Sequence, residues 1–225
     1  MTSTPENTGL LLQAVLFDMD GTLVDTEPYW IAAEYALVES FGGTWTDQHA
    51  HALVGNALLD SAVYIRKHGG VDLDPPVIVE RLLDEVVIAA QAEIPWRPGA
   101  RELLAEVAER GIPCALVTMS YARLAETMTD QLPPGTFAAV VTGDQVNDGK
   151  PHPEAYLTAA ARLGADPVYC VAIEDSPTGV ASAEAAGCVV VGVPHHVKIE
   201  AAPGRAIVDS LTSLHVDMLE ALVRR

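Results

Sequence analysis

Five short apolar runs punctuate the chain: Ala14 to Phe17, Cys114 to Thr118, Ala138 to Thr142, Tyr169 to Ile173 and Cys188 to Val193. None alternates between apolar and polar positions, so the spacing predicts strands buried on both faces, as in a parallel sheet. Between the later runs the apolar period becomes helical. Gly99 to Arg110 sets Leu103, Leu104, Val107 and Ala108 on one face, with Gly111 as a stop. Pro153 to Leu163 opens on a proline suited to the first helical position and ends at Gly164. Ser176-Pro177 caps and starts a helix running to Ala186, before Gly187. Strand and helix alternating in this way predict an α/β fold, a doubly wound, mostly parallel Rossmann-like sheet.

One stretch breaks the alternation. From Leu23 to Pro98 the period is helical throughout, over Tyr29 to Phe41, Leu58 to Lys67 and Val77 to Ala90. It follows the first strand directly, and alternation resumes only after Trp96-Arg97-Pro98-Gly99. The expected organisation is a catalytic core of residues 1–23 and 97–225 with a helical cap of residues 24–96 inserted over the carboxyl edge of the sheet, where open α/β folds bind ligands.

Composition narrows the function classes. The chain has 225 residues, 49% of them hydrophobic, enough for a sizeable core. No apolar run reaches the roughly 18 residues of a membrane-spanning helix. Met1 to Gly9 is polar without a basic start, which reads as a loose arm and not as a secretory signal. The formal charge is −18 with no Lys/Arg cluster, which argues against nucleic acid as a partner. The expectation is a cytoplasmic protein, taken as a monomer, with no nucleic-acid or membrane partner. Cys114, Cys170 and Cys188 read as small core residues of a reducing compartment.

Chemistry gathers at strand ends. Phe17-Asp18-Met19-Asp20-Gly21-Thr22-Leu23 puts two carboxylates directly after a buried strand. Asp-Gly is also common in plain turns. The chemical alternative is a nucleophilic carboxylate that attacks phosphorus, beside a second carboxyl that protonates the leaving oxygen, with a magnesium ion relieving their repulsion. Thr118-Met119-Ser120 ends the second run; a hydroxyl and the amides after it can hold phosphate oxygens or simply cap a helix. Lys150 stands between Gly149 and Pro151 in a lysine-poor chain and can oppose charge on transferring oxygens. Glu174-Asp175 follows a buried strand and suits either the start of a helix or magnesium ligation. Each signal alone has a structural reading. In order, at parallel strand ends, they converge on one edge and suffice for metal-assisted displacement at phosphorus.

With these four motifs in this order, the sequence resembles the haloacid dehalogenase-like superfamily, and within it the branch of small-molecule phosphatases and β-phosphoglucomutase. The resemblance spans about Gln13 to Leu214. It implies Asp18 as nucleophile and Asp20 as general acid/base. Mg²⁺ would be held by Asp18, by the backbone carbonyl of Asp20, by Asp175, and by Glu174 directly or through water. Thr118, Met119 (through its amide) and Lys150 would bind the phosphoryl group. Met119 departs from the small or polar residue usual at that place. In the cap, Trp30 stands where the mutase has a histidine, and Leu58 where it has an arginine shortly after the glycine matching Gly55. That favours a phosphatase for a small metabolite with one phosphate over a phosphosugar mutase. A dehalogenase would leave Asp20 without a task. A phospho-aspartate signalling module would be shorter and would lack the insertion.

His195-His196 shows no third ligand in the sequence and reads as a surface loop. His49 and His51 stay open between solvent and substrate.

Overall fold

The computed structural model describes residues 12–54 and 56–224. The polar N-terminal segment and Gly55, singled out above, lie outside them. The first strand, β1 (Ala14–Phe17), leads through a tight turn into a run of helices: α1 (Glu27–Ser40), α2 (Asp47–His51), α3 (Leu58–Gly69) and α4 (Pro75–Ala92). The alternating part then follows as α5 (Ala100–Glu109), β2 (Cys114–Val117), α6 (Ala122–Thr129), β3 (Ala139–Val141), α7 (Glu154–Leu163), β4 (Cys170–Glu174), α8 (Pro177–Ala185), β5 (Val189–Gly192), β6 (Arg205–Ile207) and α9 (Val216–Val223).

The six strands form one sheet in the order β3-β2-β1-β4-β5-β6, parallel at every pairing. Side chains alternate faces along each strand, and both faces are covered. Val15 and Phe17 of β1 pack into one core with α5, α6 and α9, through Leu103, Leu104, Val107, Leu124, Met128 and Leu219. Ala14 and Leu16 pack into the other with α7 and α8, through Ala155, Tyr156, Ala159, Val180 and Ala183. The sheet is therefore doubly wound. The chain leaves β1 toward β2 and β3 on one side and returns to β4 on the other, so β1 and β4 flank the topological switch point. Ligands bind outside the carboxyl ends of strands at such a point.

The inserted helices form the cap. Their apolar faces, with Trp30, Leu37, Val38, Ile65, Leu83 and Val86, join the same core as Phe17 and Leu103. Val24 and Trp96 pair as an antiparallel bridge. Beside it, Asp25 N–H donates to Pro95 O and Arg97 N–H to Leu23 O, both at 2.9 Å. The chain thus goes out to the cap and comes back along two hydrogen-bonded segments. No helix of the described residues is long and apolar enough to cross a membrane.

Local differences from the sequence reading have physical causes. Pro153 is the N-cap of α7, in a helical conformation (φ −73°, ψ −5°), and not its first helical residue. Ser176 caps α8 as expected, its Oγ accepting Gly179 N–H at 3.1 Å with Pro177 next in line. Strand β6 escaped the pattern because its three residues include an arginine and none of them is buried. Helix α2 escaped because five residues hold too little period to show; Thr46 caps it by accepting His49 N–H. The three cysteines are buried and free, and burial pushes their thiols up to about 12, 11 and 12 for Cys114, Cys170 and Cys188.

Candidate active site

Asp18 follows β1, Thr118 follows β2, Lys150 lies in the loop after β3, and Glu174-Asp175 closes β4. Parallel pairing brings these ends to one edge under the cap. They surround a cavity of about 270 Å³ lined by Asp18, Asp20, Thr118, Met119, Ser120, Lys150 and Asp175 from the core. The cap side contributes Glu27, Trp30, Glu34, Asn56, Leu58, Ser61 and Leu82. Glu174 is fully buried behind this wall.

Lys150 and Glu174 form the rear of the site. The ammonium of Lys150 donates to Asp18 Oδ1 at 2.6 Å, to Glu174 Oε1 at 2.6 Å and to the carbonyl of Val117 at 2.9 Å. All three of its protons are thus engaged. Glu174 Oε1 also accepts the hydroxyl of Tyr156 at 2.7 Å, while Oε2 accepts Asp175 N–H at 3.2 Å and Ser176 Oγ–H at 3.3 Å. Burial would push the ammonium down, but the two carboxylates outweigh it and hold Lys150 above its ordinary range. It stays charged.

Asp20 lies two residues beyond Asp18, where the turn after β1 begins. Its Oδ1 accepts Thr26 Oγ1–H at 2.5 Å, and its Oδ2 accepts Thr118 Oγ1–H at 3.0 Å and Ser120 Oγ–H at 2.8 Å. Thr118 Oγ1 in turn accepts the backbone N–H of Ser120 at 2.9 Å. Hydroxyls from two separate segments therefore fix this carboxylate's direction. Gly21, at φ +84°, makes the turn that follows it. A Cβ there would stand 2.1 Å from Asp175 Oδ2, so only glycine lets that carboxylate approach.

Carboxylates outnumber cations in this corner of the site. Asp18, Glu174 and Asp175 offer carboxylate oxygens all within 4.8 Å of one another, against one ammonium. Burial and then repulsion from Glu174 raise Asp18 from an ordinary 3.8 to about 7, despite Lys150. Asp175 is raised well above its ordinary range by burial and then by Asp18 and Glu174. Asp18 Oδ2 is buried and has no hydrogen-bond partner among the described residues. A buried carboxylate oxygen left bare costs several kcal/mol unless something positive meets it. Hard oxygen donors with surplus negative charge suit a divalent cation such as Mg²⁺.

Several residues at the site were not singled out from the sequence. Ser120 closes a motif that was noticed, so its hydroxyl was within reach. Thr26 carried no signal beyond its place after Asp25. Tyr156 sits on an ordinary helical face. Arg97, whose guanidinium donates to the carbonyl of Gly21, looked like part of a linker. His49 and His51 do not line the cavity: His49 packs in an aromatic group with Trp45 and Tyr64, at centroid distances of 4.7 and 6.2 Å, and His51 Nδ1 lies 2.5 Å from Asp47 O.

Known proteins resemble this chain in sequence and in fold. Residues 12–187 match the family model of haloacid dehalogenase-like hydrolases. Hexitol phosphatase B of Escherichia coli (strain K12) is 33% identical over 198 residues, covering 85% of this chain and 86% of its own. A phosphorylated carbohydrates phosphatase of Thermotoga maritima is 31% identical over 201 residues, covering 88% and 91%. Among solved structures, a CbbY mutant from Rhodobacter sphaeroides in complex with xylulose-1,5-bisphosphate superposes with a TM-score of 0.81 at 27% identity, covering 90% of this chain and 96% of that one. With its motifs at the strand ends and a family match across most of its length, the chain belongs to the haloacid dehalogenase-like hydrolases.

Proposed function

We propose that this hydrolase is a Mg²⁺-dependent phosphomonoesterase for a small phosphorylated metabolite of the sugar or sugar-alcohol type, working through an aspartyl-phosphate on Asp18. The observation that carries the reading is Asp18 itself: a buried carboxylate at the switch point, with one oxygen held by Lys150 and the other bare among the described residues.

Asp18 attacks phosphorus, and the ester oxygen departs as the P–O bond breaks. Asp20 gives that oxygen its proton, so an alcohol leaves. Asp20, now a carboxylate, takes a proton from water; the resulting hydroxide attacks phosphorus, the bond to Asp18 breaks and inorganic phosphate is released. Thr118, Ser120 and the amide of Met119 hold phosphoryl oxygens. Two of the three hydroxyls that donate to Asp20 here, those of Thr118 and Ser120, turn to the phosphoryl group when it arrives, which frees Asp20 Oδ2 to exchange a proton. Lys150 opposes the charge on the in-flight oxygens. Asp18, Asp175 and the backbone carbonyl of Asp20 would hold the cation, with Glu174 reaching it directly or through water. A bound Mg²⁺ would neutralise the crowded carboxylates and the phosphoryl oxygens. Glu174, with both oxygens hydrogen-bonded, also fixes Lys150.

The cap side of the cavity supports a single phosphate. Trp30 and Leu58 line it, Glu27, Glu34, Asn56 and Ser61 supply its polar groups, and no arginine or lysine stands there among the described residues. Carboxylates, an amide and a hydroxyl suit substrate hydroxyl groups, and the names of the phosphatase relatives point the same way. Incubation with a hexose 1-phosphate or a hexitol phosphate and Mg²⁺ should release inorganic phosphate, and Asp18→Asn should abolish the release. A hexose 6-phosphate product from the 1-phosphate would instead establish a mutase, and full activity in Asp18→Asn would remove the nucleophile assignment.

A further inference from the structure

The two histidines that read as a surface loop acquire a third partner in the fold. After β5 the chain runs through Val193-Pro194 into His195-His196, and both rings turn toward Asp25. His195 Nε2 lies 3.2 Å and His196 Nε2 3.3 Å from the same oxygen, Asp25 Oδ1. The bend they occupy sets the two rings side by side, with centroids 3.9 Å apart. His195 Nε2 is buried and, among the described residues, has no hydrogen-bond partner; its approach to Asp25 has the distance of a hydrogen bond but not its direction.

Those distances suit a hydrogen bond, which His196 makes to Asp25 Oδ1, and they equally suit ligands around one metal ion. Zinc bound to imidazole nitrogen and carboxylate oxygen at about 2.0–2.2 Å, in a tetrahedron, spaces its ligands about 3.3 Å apart along each edge. Two of the three edges here match that value. The three ligand atoms all lie within 4.8 Å of one another, and the set is separate from the oxygen-only group around Asp18. Nitrogen donors select a borderline transition ion over Mg²⁺.

We propose that Asp25, His195 and His196 form a second metal site, for a Zn²⁺-class divalent ion with a fourth position open to water, which fastens the cap linker to the core. Asp25 belongs to the segment leading from Asp20 into α1, and its N–H is bonded to the returning segment at Pro95. The histidines belong to the loop after a core strand, and His196 also lines the cavity mouth. An ion here ties outgoing linker, returning linker and core loop together, so it slows the opening and closing on which turnover depends.

The test uses Co²⁺ and Zn²⁺ with the full chain in excess Mg²⁺, which occupies the carboxylate site. One equivalent of Co²⁺ should give the intense visible absorption of a tetrahedral nitrogen-oxygen site, not the faint bands of an octahedral one. His195→Ala and His195→Gln should each lose that absorption while keeping Mg²⁺-dependent turnover. One equivalent of Zn²⁺ should slow phosphate release by the wild type several-fold and leave His195→Ala unchanged. Absence of the tetrahedral band in the wild type, or its persistence in both variants, overturns the site and leaves an ordinary Asp-His contact. A tetrahedral band with unslowed turnover overturns the restraint on the cap.

Discussion

Asp18 shows how a residue's surroundings reverse its usual behaviour. In water its carboxyl ionises near 3.8; here burial and Glu174 raise it to about 7. A carboxyl raised on folding contributes stability that is fully present below its unfolded value and is lost as pH rises through the folded one. The cation-free protein should therefore lose stability between about pH 4 and 7 through this group. Asn cannot ionise, so Asp18→Asn should unfold at a higher temperature than the wild type at pH 8 without divalent ions. The gap should close toward pH 5. Thermal unfolding of both proteins across that range checks the sign; a wild type that is the more stable of the two at pH 8 would mean Lys150 already balances the charge. The motif around Asp18 was legible because two acids after an apolar strand are out of place. The partners that orient Asp20 were legible only in part, since a hydroxyl such as Thr26 means nothing until the fold sets it 2.5 Å from a carboxylate.

Helix α8 carries an element-scale consequence. By propensity alone, replacing Gly179 inside it with Ala should stabilise the protein by about 0.5–1 kcal/mol. A Cβ at Gly179, however, would meet the carboxylate of Glu174 at 1.9–2.0 Å. That carboxylate cannot swing away cheaply, because Lys150, Tyr156, Ser176 and the Asp175 amide all hold it. Overpacking of this kind costs roughly 1–3 kcal/mol and outweighs the propensity gain. Gly179→Ala should lower the melting temperature and, by displacing Lys150 from Asp18, reduce kcat at least tenfold. Calorimetry and steady-state kinetics read the two effects, and a stabilised, fully active variant would refute the close approach. The ends of this helix were readable from Ser176-Pro177 and Gly187. Its nearness to Glu174 was not, because that contact depends on how the helix lies against β4.

Over the whole molecule, the cap and the sheet share a core, while the acids of both meet across one cavity. Arg123 on α6 also pairs with Glu80 and Asp84 on α4 at 3.0 and 2.5 Å. These side chains are about half exposed and contribute little. The excess of carboxylates at the sheet edge matters more. A cation that binds only the folded chain stabilises it by about 2.7 kcal/mol at roughly 100 times its dissociation constant. At roughly 2–4 °C per kcal/mol for a chain of this size, Mg²⁺ should raise the melting temperature by several degrees and EDTA should reverse it. An unchanged melting temperature would mean the acids at Asp18 and Asp175 do not hold the ion. The overall charge of −18 sharpens the point, since an anionic substrate approaches an anionic protein and needs a local positive centre.

By itself the sequence determined the first five strands of the sheet, the helical insertion and the order of the motifs. Continuous apolar runs, helical period, glycine stops and misplaced acids are local signals, set by nearest neighbours and by burial on one face or two. It also determined that Asp18, Thr118, Lys150 and Asp175 would share an edge, because parallel strands end on the same side. Only the tertiary structure decided what each group touches. Glu174 faces Lys150 and Tyr156, Thr118 and Ser120 hold Asp20, and Trp30, Glu34 and Leu58 close the cavity. It also carried Asp25 to within 3.3 Å of two histidines at the far end of the chain. Such contacts depend on the packing of whole elements and on the path of the cap linkers, and no local pattern in a chain encodes a distance between segments that far apart.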